Sequence, residues 1–256
     1  MSISASAGFA VEIVAHRGAS FDAPENTLSA MKLAWKQKAD GIEVDIHLSK
    51  DGKIVVIHDF DTKRTGGGEG KIVDQTWEQM QHLDLGKWKG EQFAGEKFPT
   101  LDSILETIPR GKRIFIEIKV GPEILPALKT VMEASGKKHS QMAIITFRYD
   151  TAEAAKVQFP KHKVYWLVGW GKDKKTGEFP NIDDLIKKTK AANLDGLDLN
   201  YGFPIDKAFV NKVHEAGLKL YTWTVDDPKV AKAEMEAGVD GITTNRPEWL
   251  RAQLKQ

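Results

Sequence analysis

The sequence contains no cysteine, which excludes disulfides, thiolate metal sites, iron–sulfur clusters and cysteine nucleophiles. It has no apolar run approaching the ~20 residues that span a bilayer. It also lacks a charge excess. Lys and Arg total 37 against 36 Asp and Glu, so no strong field draws the chain toward polyanions. Neither nucleic acid nor stable membrane association is therefore expected. Met1 to Ala10 has no basic n-region and no long apolar h-region, so it is not read as a complete signal peptide. An untethered N-terminus is expected there, the stump of a trimmed signal being the alternative. The expectation is a soluble protein, cytoplasmic by default, with a periplasmic or secreted location left open. Oligomeric state is not legible.

What is present is a regular alternation. The 256 residues, 41% hydrophobic and 29% charged, are ample for one large core. Apolar, β-rich runs fall at Glu12–His16, Gly41–Ile46, Arg113–Ile118, Met142–Phe147, Lys163–Val168, Leu194–Leu199, Lys219–Val225 and Asp240–Thr244. Helical patterns lie between them, at Glu25–Ala39, Thr100–Ile108, Glu123–Ser135, Thr151–Gln158, Asp183–Ala192, Asp206–Ala216, Pro228–Ala237 and Pro247–Leu254. Gly136, Gly217 and Gly238 stand where left-handed C-caps would fall. Eight βα pairs are the count of an α/β (β/α)8 TIM barrel. A doubly wound open sheet, the competitor, usually stops at fewer strands. The chain reads as one catalytic domain over 1–256. Residues 47–98 break the rhythm: two short strands surround Asp51-Gly52, and Gly66-Gly67-Gly68 and a helical piece near Thr76–Leu83 follow. That stretch reads as an insertion subdomain after the second strand, leaving from the barrel end where βα loops carry function.

Chemistry concentrates at strand ends. Glu43 and Asp45 are two apart in a strand, so they share a face while Ile42, Val44 and Ile46 share the other. Paired interior carboxylates need a cation between them. An alternating half-solvated strand is the bland alternative. Glu117 and Lys119 repeat the spacing on the next barrel strand. Three carboxylates form an all-oxygen ligand set that suits one divalent cation, Mg²⁺ or Ca²⁺, rather than zinc; a Glu117–Lys119 ion pair is the alternative use. His16 ends the first strand and His58 ends the returning arm of the hairpin, so both can serve as acid–base groups at the same rim. His47, His82, His139, His162 and His214 read as structural or surface. Arg17 is a fork for phosphate oxygens, Lys119 could add to it, and Gly18 permits a sharp turn. Pro24-Glu25-Asn26-Thr27 reads first as a helix start. Trp223 is a candidate pocket wall.

Taken together, the chain resembles the glycerophosphodiester phosphodiesterase family. The motifs carrying the resemblance are His16-Arg17-Gly18, Pro24-Glu25-Asn26-Thr27, Glu43-Val44-Asp45, Lys50-Asp51-Gly52, His58-Asp59, Pro99-Thr100-Leu101, Glu117-Ile118-Lys119, Trp223-Thr224-Val225 and Thr244-Asn245-Arg246-Pro247. The resemblance implies a TIM barrel with a small insertion, one divalent ion on Glu43, Asp45 and Glu117, and a small-molecule glycerophosphodiester substrate cleaved to glycerol 3-phosphate and an alcohol. The residues alone leave the division between the histidines open; the resemblance favours His16 as base and His58 as acid. Ser49 and Asp226 depart from the family's common Thr and Asn and are expected to lie away from the chemistry. A phospholipase-like barrel would need an apolar rim, for which Trp77, Trp88, Phe93 and Phe98 are the only hint. A non-catalytic phosphate-binding protein would not need the histidine pair.

Overall fold

The structure, a computed structural model, describes residues 11–255. The N-terminal stretch expected to be untethered lies outside the described residues. Among the described residues nine strands run β1 Glu12–Ala15, β2 Gly41–Leu48, β3 Ile54–Val56, β4 Arg113–Ile118, β5 Met142–Thr146, β6 Lys163–Val168, β7 Gly196–Asn200, β8 Lys219–Trp223 and β9 Gly241–Thr244. β1 pairs in parallel with both β2 and β9, which closes eight parallel strands into a barrel. β3 is the ninth, antiparallel on the far end of β2. The expected barrel and its strand series are borne out, and the open sheet is excluded by closure.

The helices are α1 Leu28–Lys36, α2 Lys63–Gly66, α3 Trp77–Met80, α4 Leu101–Glu106, α5 Leu125–Ala134, α6 Tyr149–Gln158, α7 Ile182–Ala191, α8 Lys207–Glu215, α9 Pro228–Ala237 and α10 Pro247–Leu254. Gly136, Gly217 and Gly238 follow α5, α8 and α9 with φ of 66°, 81° and 100°, the left-handed ends read from the sequence.

Strand alternation sorts the core into layers. Residues such as Ile42, Val44, Ile114, Ile116 and Ile144 face the helices, where they pack with Met31, Ile104 and Leu128. The opposite side chains fill the barrel with Val14, Phe115, Ala143, Ile145, Tyr165, Leu167 and Tyr221. The interior is thus packed in its lower part, as a small barrel requires, with Glu12 and Arg113 paired at the N-terminal strand ends. A second set of polar residues, Glu43, Asp45, Glu117 and Lys119, lies toward the C-terminal ends. Between β2 and α4 the chain buries its own small cluster of Val55, Ile57, Ile72, Met80, Leu85 and Phe98. Trp77 packs against it, which accounts for Trp77 and Phe98 as core side chains rather than a lipid-facing rim.

Candidate active site

β2 is buried from Gly41 through His47, which rules out the half-solvated reading. Glu43, Asp45 and His47 share its inner face. Across the β2–β4 register Asp45 sits opposite Glu117, and one carboxylate oxygen from each of Glu43, Asp45 and Glu117 lies within 4.8 Å of the others. Lys119 Nζ donates to Glu117 Oε1 at 2.7 Å and stands 3.2 Å from Asp45 Oδ1. Arg17 Nε stands 3.2 Å from Asp45 Oδ2. Burial opposes ionisation of Asp45, but Lys119 and Arg17 outweigh it and hold the carboxyl below its ordinary range. Burial, reinforced by the Asp45 charge, pushes Glu43 well up and Glu117 to about 7. Two cations therefore leave the third carboxylate uncompensated. Glu43 Oε1 and Asp45 Oδ1 are buried without hydrogen-bond partners. Orphaned carboxylate oxygens converging this closely fit a hard divalent cation held by oxygen.

The turn after β1 frames this cluster. Arg17 has φ 54° and Asn26 has φ 59°, left-handed conformations unusual for residues with side chains. The first turns the Arg17 N–H onto Glu43 Oε2 at 2.8 Å. The second lets Asn26 brace Asp45 twice, Nδ2 donating to Oδ2 at 2.8 Å and Oδ1 accepting from the Asp45 N–H at 3.2 Å. Gly18, φ 80°, lies against α1 so closely that a Cβ there would come within 2.7 Å of Ala30. Residues 24–27 therefore belong to this turn, and α1 begins only at Leu28, capped by Thr27. Glu25, expected in the helix, instead accepts from Arg17 NH1 at 2.8 Å and from both terminal nitrogens of Arg64.

The two histidines face different partners. His16 Nδ1 is 2.8 Å from Asn245 Oδ1. The Asn245 amide nitrogen donates to Asp226 Oδ2, and its backbone N–H donates to Asp226 Oδ1. A carboxylate only accepts, so Asp226 fixes the amide with Oδ1 toward His16. His16 must then carry its proton on Nδ1, leaving the Nε2 lone pair free, 4.0 Å from Glu43 Oε2. Burial and the neighbouring Arg17 lower His16 to about 4. His58 Nδ1 donates to Asp59 Oδ1 at 2.7 Å, and Arg64 clamps Asp59 from Nε and NH2. Arg64 outweighs burial and, with the His58 contact, holds Asp59 at about 2. His47, read as structural, meets the His58 carbonyl with its Nε2 at 3.2 Å, so it braces the second histidine.

One cavity of about 130 Å³ is lined by His16, Arg17, Glu43, His58, Glu117, Lys119 and Trp223. Asp45 lies beside them, buried. Trp223 packs edge-on to Phe147 at 5.2 Å and donates from Nε1 to the Asp198 carbonyl. Sequence reading assigned no role to Asp59, Arg64, Asn245 and Asp198, and set Asp226 apart from the chemistry. The structure corrects that last point: Asp226 is one residue removed from His16. Asn245 lies 229 residues from His16, so only barrel closure reveals the contact.

Comparison with known proteins agrees with this geometry. Residues 16–249 match the model of the glycerophosphoryl diester phosphodiesterase family. A glycerophosphodiester phosphodiesterase of Caldanaerobacter subterraneus is 36% identical over 246 residues, covering 93% of this chain and 95% of the relative. One from Bacillus subtilis is 29% identical, covering 92% and 83%. Among solved structures, an Oleispira antarctica phosphodiesterase in complex with the product sn-glycerol-3-phosphate superposes with a TM-score of 0.85 at 26% identity, covering 96% of this chain and 97% of that one.

Proposed function

The chain belongs to the glycerophosphoryl diester phosphodiesterase family, and on that premise we propose that it hydrolyses glycerophosphodiesters to glycerol 3-phosphate and an alcohol. It is a phosphoric diester hydrolase acting on a small molecule. The observation that carries this reading is the pair of histidines on one cavity with unlike Nδ1 partners, an amide for His16 and a carboxylate for His58.

His16 is the base. Its Nε2 lone pair takes the proton of the nucleophile as the oxygen attacks phosphorus; that nucleophile is water, or the substrate's own 2-hydroxyl, in which case a water then opens the resulting cyclic phosphate to glycerol 3-phosphate. His58 is the acid. It gives its Nε2 proton to the departing alkoxide as the P–O bond breaks, and Asp59 stabilises the positive charge His58 carries beforehand. Arg17 and Lys119 hold the phosphoryl oxygens. Glu43, Asp45 and Glu117 would hold one divalent cation, Mg²⁺ or Ca²⁺. When bound, such an ion offsets charge on the phosphoryl group. Residues 47–98 act as an insertion subdomain that delivers His58, Asp59 and Arg64 to the rim.

The lipid reading has one observation in its favour: Phe21, Phe60, Trp88 and Phe147 are exposed. Phe147 lines the cavity, and Phe21 and Trp88 line the cleft beside it with His16. Co-sedimentation with liposomes separates the two readings, and the water-soluble substrate predicts no pelleting. No helix among the described residues is long and apolar enough to cross a membrane. Enzyme-coupled detection of released glycerol 3-phosphate tests the main reading; its absence with divalent cation present would refute it.

A further inference from the structure

β7 reads Gly-Leu-Asp-Leu-Asn. Leu197 and Leu199 pack toward the helices, so Asp198 points into the barrel, beside Leu167 and Tyr221 by register. It is 2% exposed, and Oδ1 has no hydrogen-bond partner. Every carboxylate of the metal cluster has company: Asp45 has Arg17, Lys119 and Asn26, Glu117 has Lys119, and Glu43 has the Arg17 N–H. Among the described residues nothing comparable reaches the Asp198 side chain. A buried carboxyl left unpaired costs stability and calls for a reason. Asp198 lines the same cavity as His16, Arg17 and Lys119, so the reason lies in what enters that cavity.

We propose that Asp198 is a specificity-determining residue that hydrogen-bonds a hydroxyl of the substrate's glycerol group while Arg17 and Lys119 hold the phosphate. This rests on the glycerophosphodiesterase reading and adds the group that recognises the polyol. The cavity that Arg17 and Lys119 line reaches Asp198 as well, so one bound molecule can meet all three. Ile145, Leu167 and Trp223 give that cavity apolar walls, suited to the carbon skeleton. A hydroxyl is satisfied by one carboxyl. An ammonium group brings three donors, which a single carboxyl among such walls cannot meet, and Arg17 and Lys119 oppose its charge.

The test compares wild type with Asp198→Leu, Asp198→Ala and Asp198→Asn on two substrates, glycerophosphocholine and bis(4-nitrophenyl) phosphate, which has no hydroxyl. For the Leu and Ala variants kcat/KM on glycerophosphocholine is expected to fall about 10–100-fold while the hydroxyl-free diester changes by less than about twofold. The Asn variant, which keeps a hydrogen-bonding group, should retain most of its glycerophosphocholine activity. Asp198→Leu should also melt no lower than wild type, because it removes an unpaired buried carboxyl. Equal losses on both substrates, or none on either, would overturn the proposal. A binding comparison stands apart from turnover. Glycerol 3-phosphate should bind the wild type more tightly than inorganic phosphate does, and that gap should close in Asp198→Ala. If the wild type releases no glycerol 3-phosphate, the function proposed above fails. The binding gap then decides Asp198 alone, and a gap of equal size in both proteins overturns its role.

Discussion

Arg64 and Glu25, 39 residues apart, form a two-point ion pair with NH1 on Oε2 at 2.9 Å and NH2 on Oε1 at 2.7 Å. Arg64 also clamps Asp59, and Glu25 also holds Arg17. One chain of alternating charge therefore runs from His58 through Asp59, Arg64, Glu25, Arg17 and Asp45 to Lys119 and Glu117. It joins His58 to the carboxylate cluster. Replacing Arg64 with Met frees Asp59 and Glu25 together. Because partners that orient a site's groups typically contribute about 10–100-fold, kcat should fall by that factor with divalent-cation affinity little changed. Steady-state kinetics beside calorimetric metal titration checks both halves.

Asn245 sets the His16 tautomer. Asn245→Ala should lower kcat by about 10²-fold or more, since the imidazole loses the partner that keeps Nε2 unprotonated. Asn245→Asp is more telling. A carboxylate at Nδ1 favours the imidazolium, so the His16 pKa must rise from about 4. A base is active only when neutral, so the acidic limb of the kcat/KM profile should move to higher pH. An unmoved limb would show that His16 is not the base.

Those two residues mark the limit of what the sequence makes legible. Glu43, Asp45 and Glu117 could be read directly, because period-two spacing in a strand puts both acids of β2 on one face and the count of strands makes β4 its neighbour. Arg17, His16 and His58 were legible as strand-end residues. Asn245, Asp226 and Arg64 were not, because their partners are set by closure of the barrel and by the fold of the segment between β2 and α4. Asp198 was hidden differently. Leu-Asp-Leu looks like any half-solvated strand until closure places it inside.

The carboxylate cluster should bind one divalent cation per chain. Asp45→Asn removes the acid most firmly held ionised by Lys119 and Arg17 and should weaken binding at least about tenfold. Differential scanning calorimetry should show the wild type stabilised by added Mg²⁺ or Ca²⁺ as mass action requires, and the variant should show little shift. Equal shifts would remove the cluster from the metal site.

Glu234, far from the chemistry, should shape stability. It is 3% exposed, accepts from Thr222 Oγ1 at 2.7 Å, and is raised by burial to about 7. Between its ordinary pKa of 4.5 and about 7 the folded state keeps a proton that the unfolded state has lost. Stability must therefore fall as pH rises through that window and level off above it. The full effect is about 3 kcal/mol at about 1.4 kcal/mol per unit. Glu234→Gln should flatten that slope in denaturant titrations at pH 5 to 8 (roughly the window set by the linkage relation).

The division of labour between His16 and His58 is best tested by leaving-group dependence. His16→Ala and His58→Ala would be assayed on glycerophosphocholine and on a glycerophosphodiester of 4-nitrophenol, with divalent cation saturating. Both variants should lose about 10³-fold or more on glycerophosphocholine. On the nitrophenyl ester, whose leaving group departs without a proton, His58→Ala should recover most of its rate and His16→Ala should not. Recovery by His16→Ala instead, or near-wild-type rates in both variants on glycerophosphocholine, would contradict the assignment of base to His16 and acid to His58.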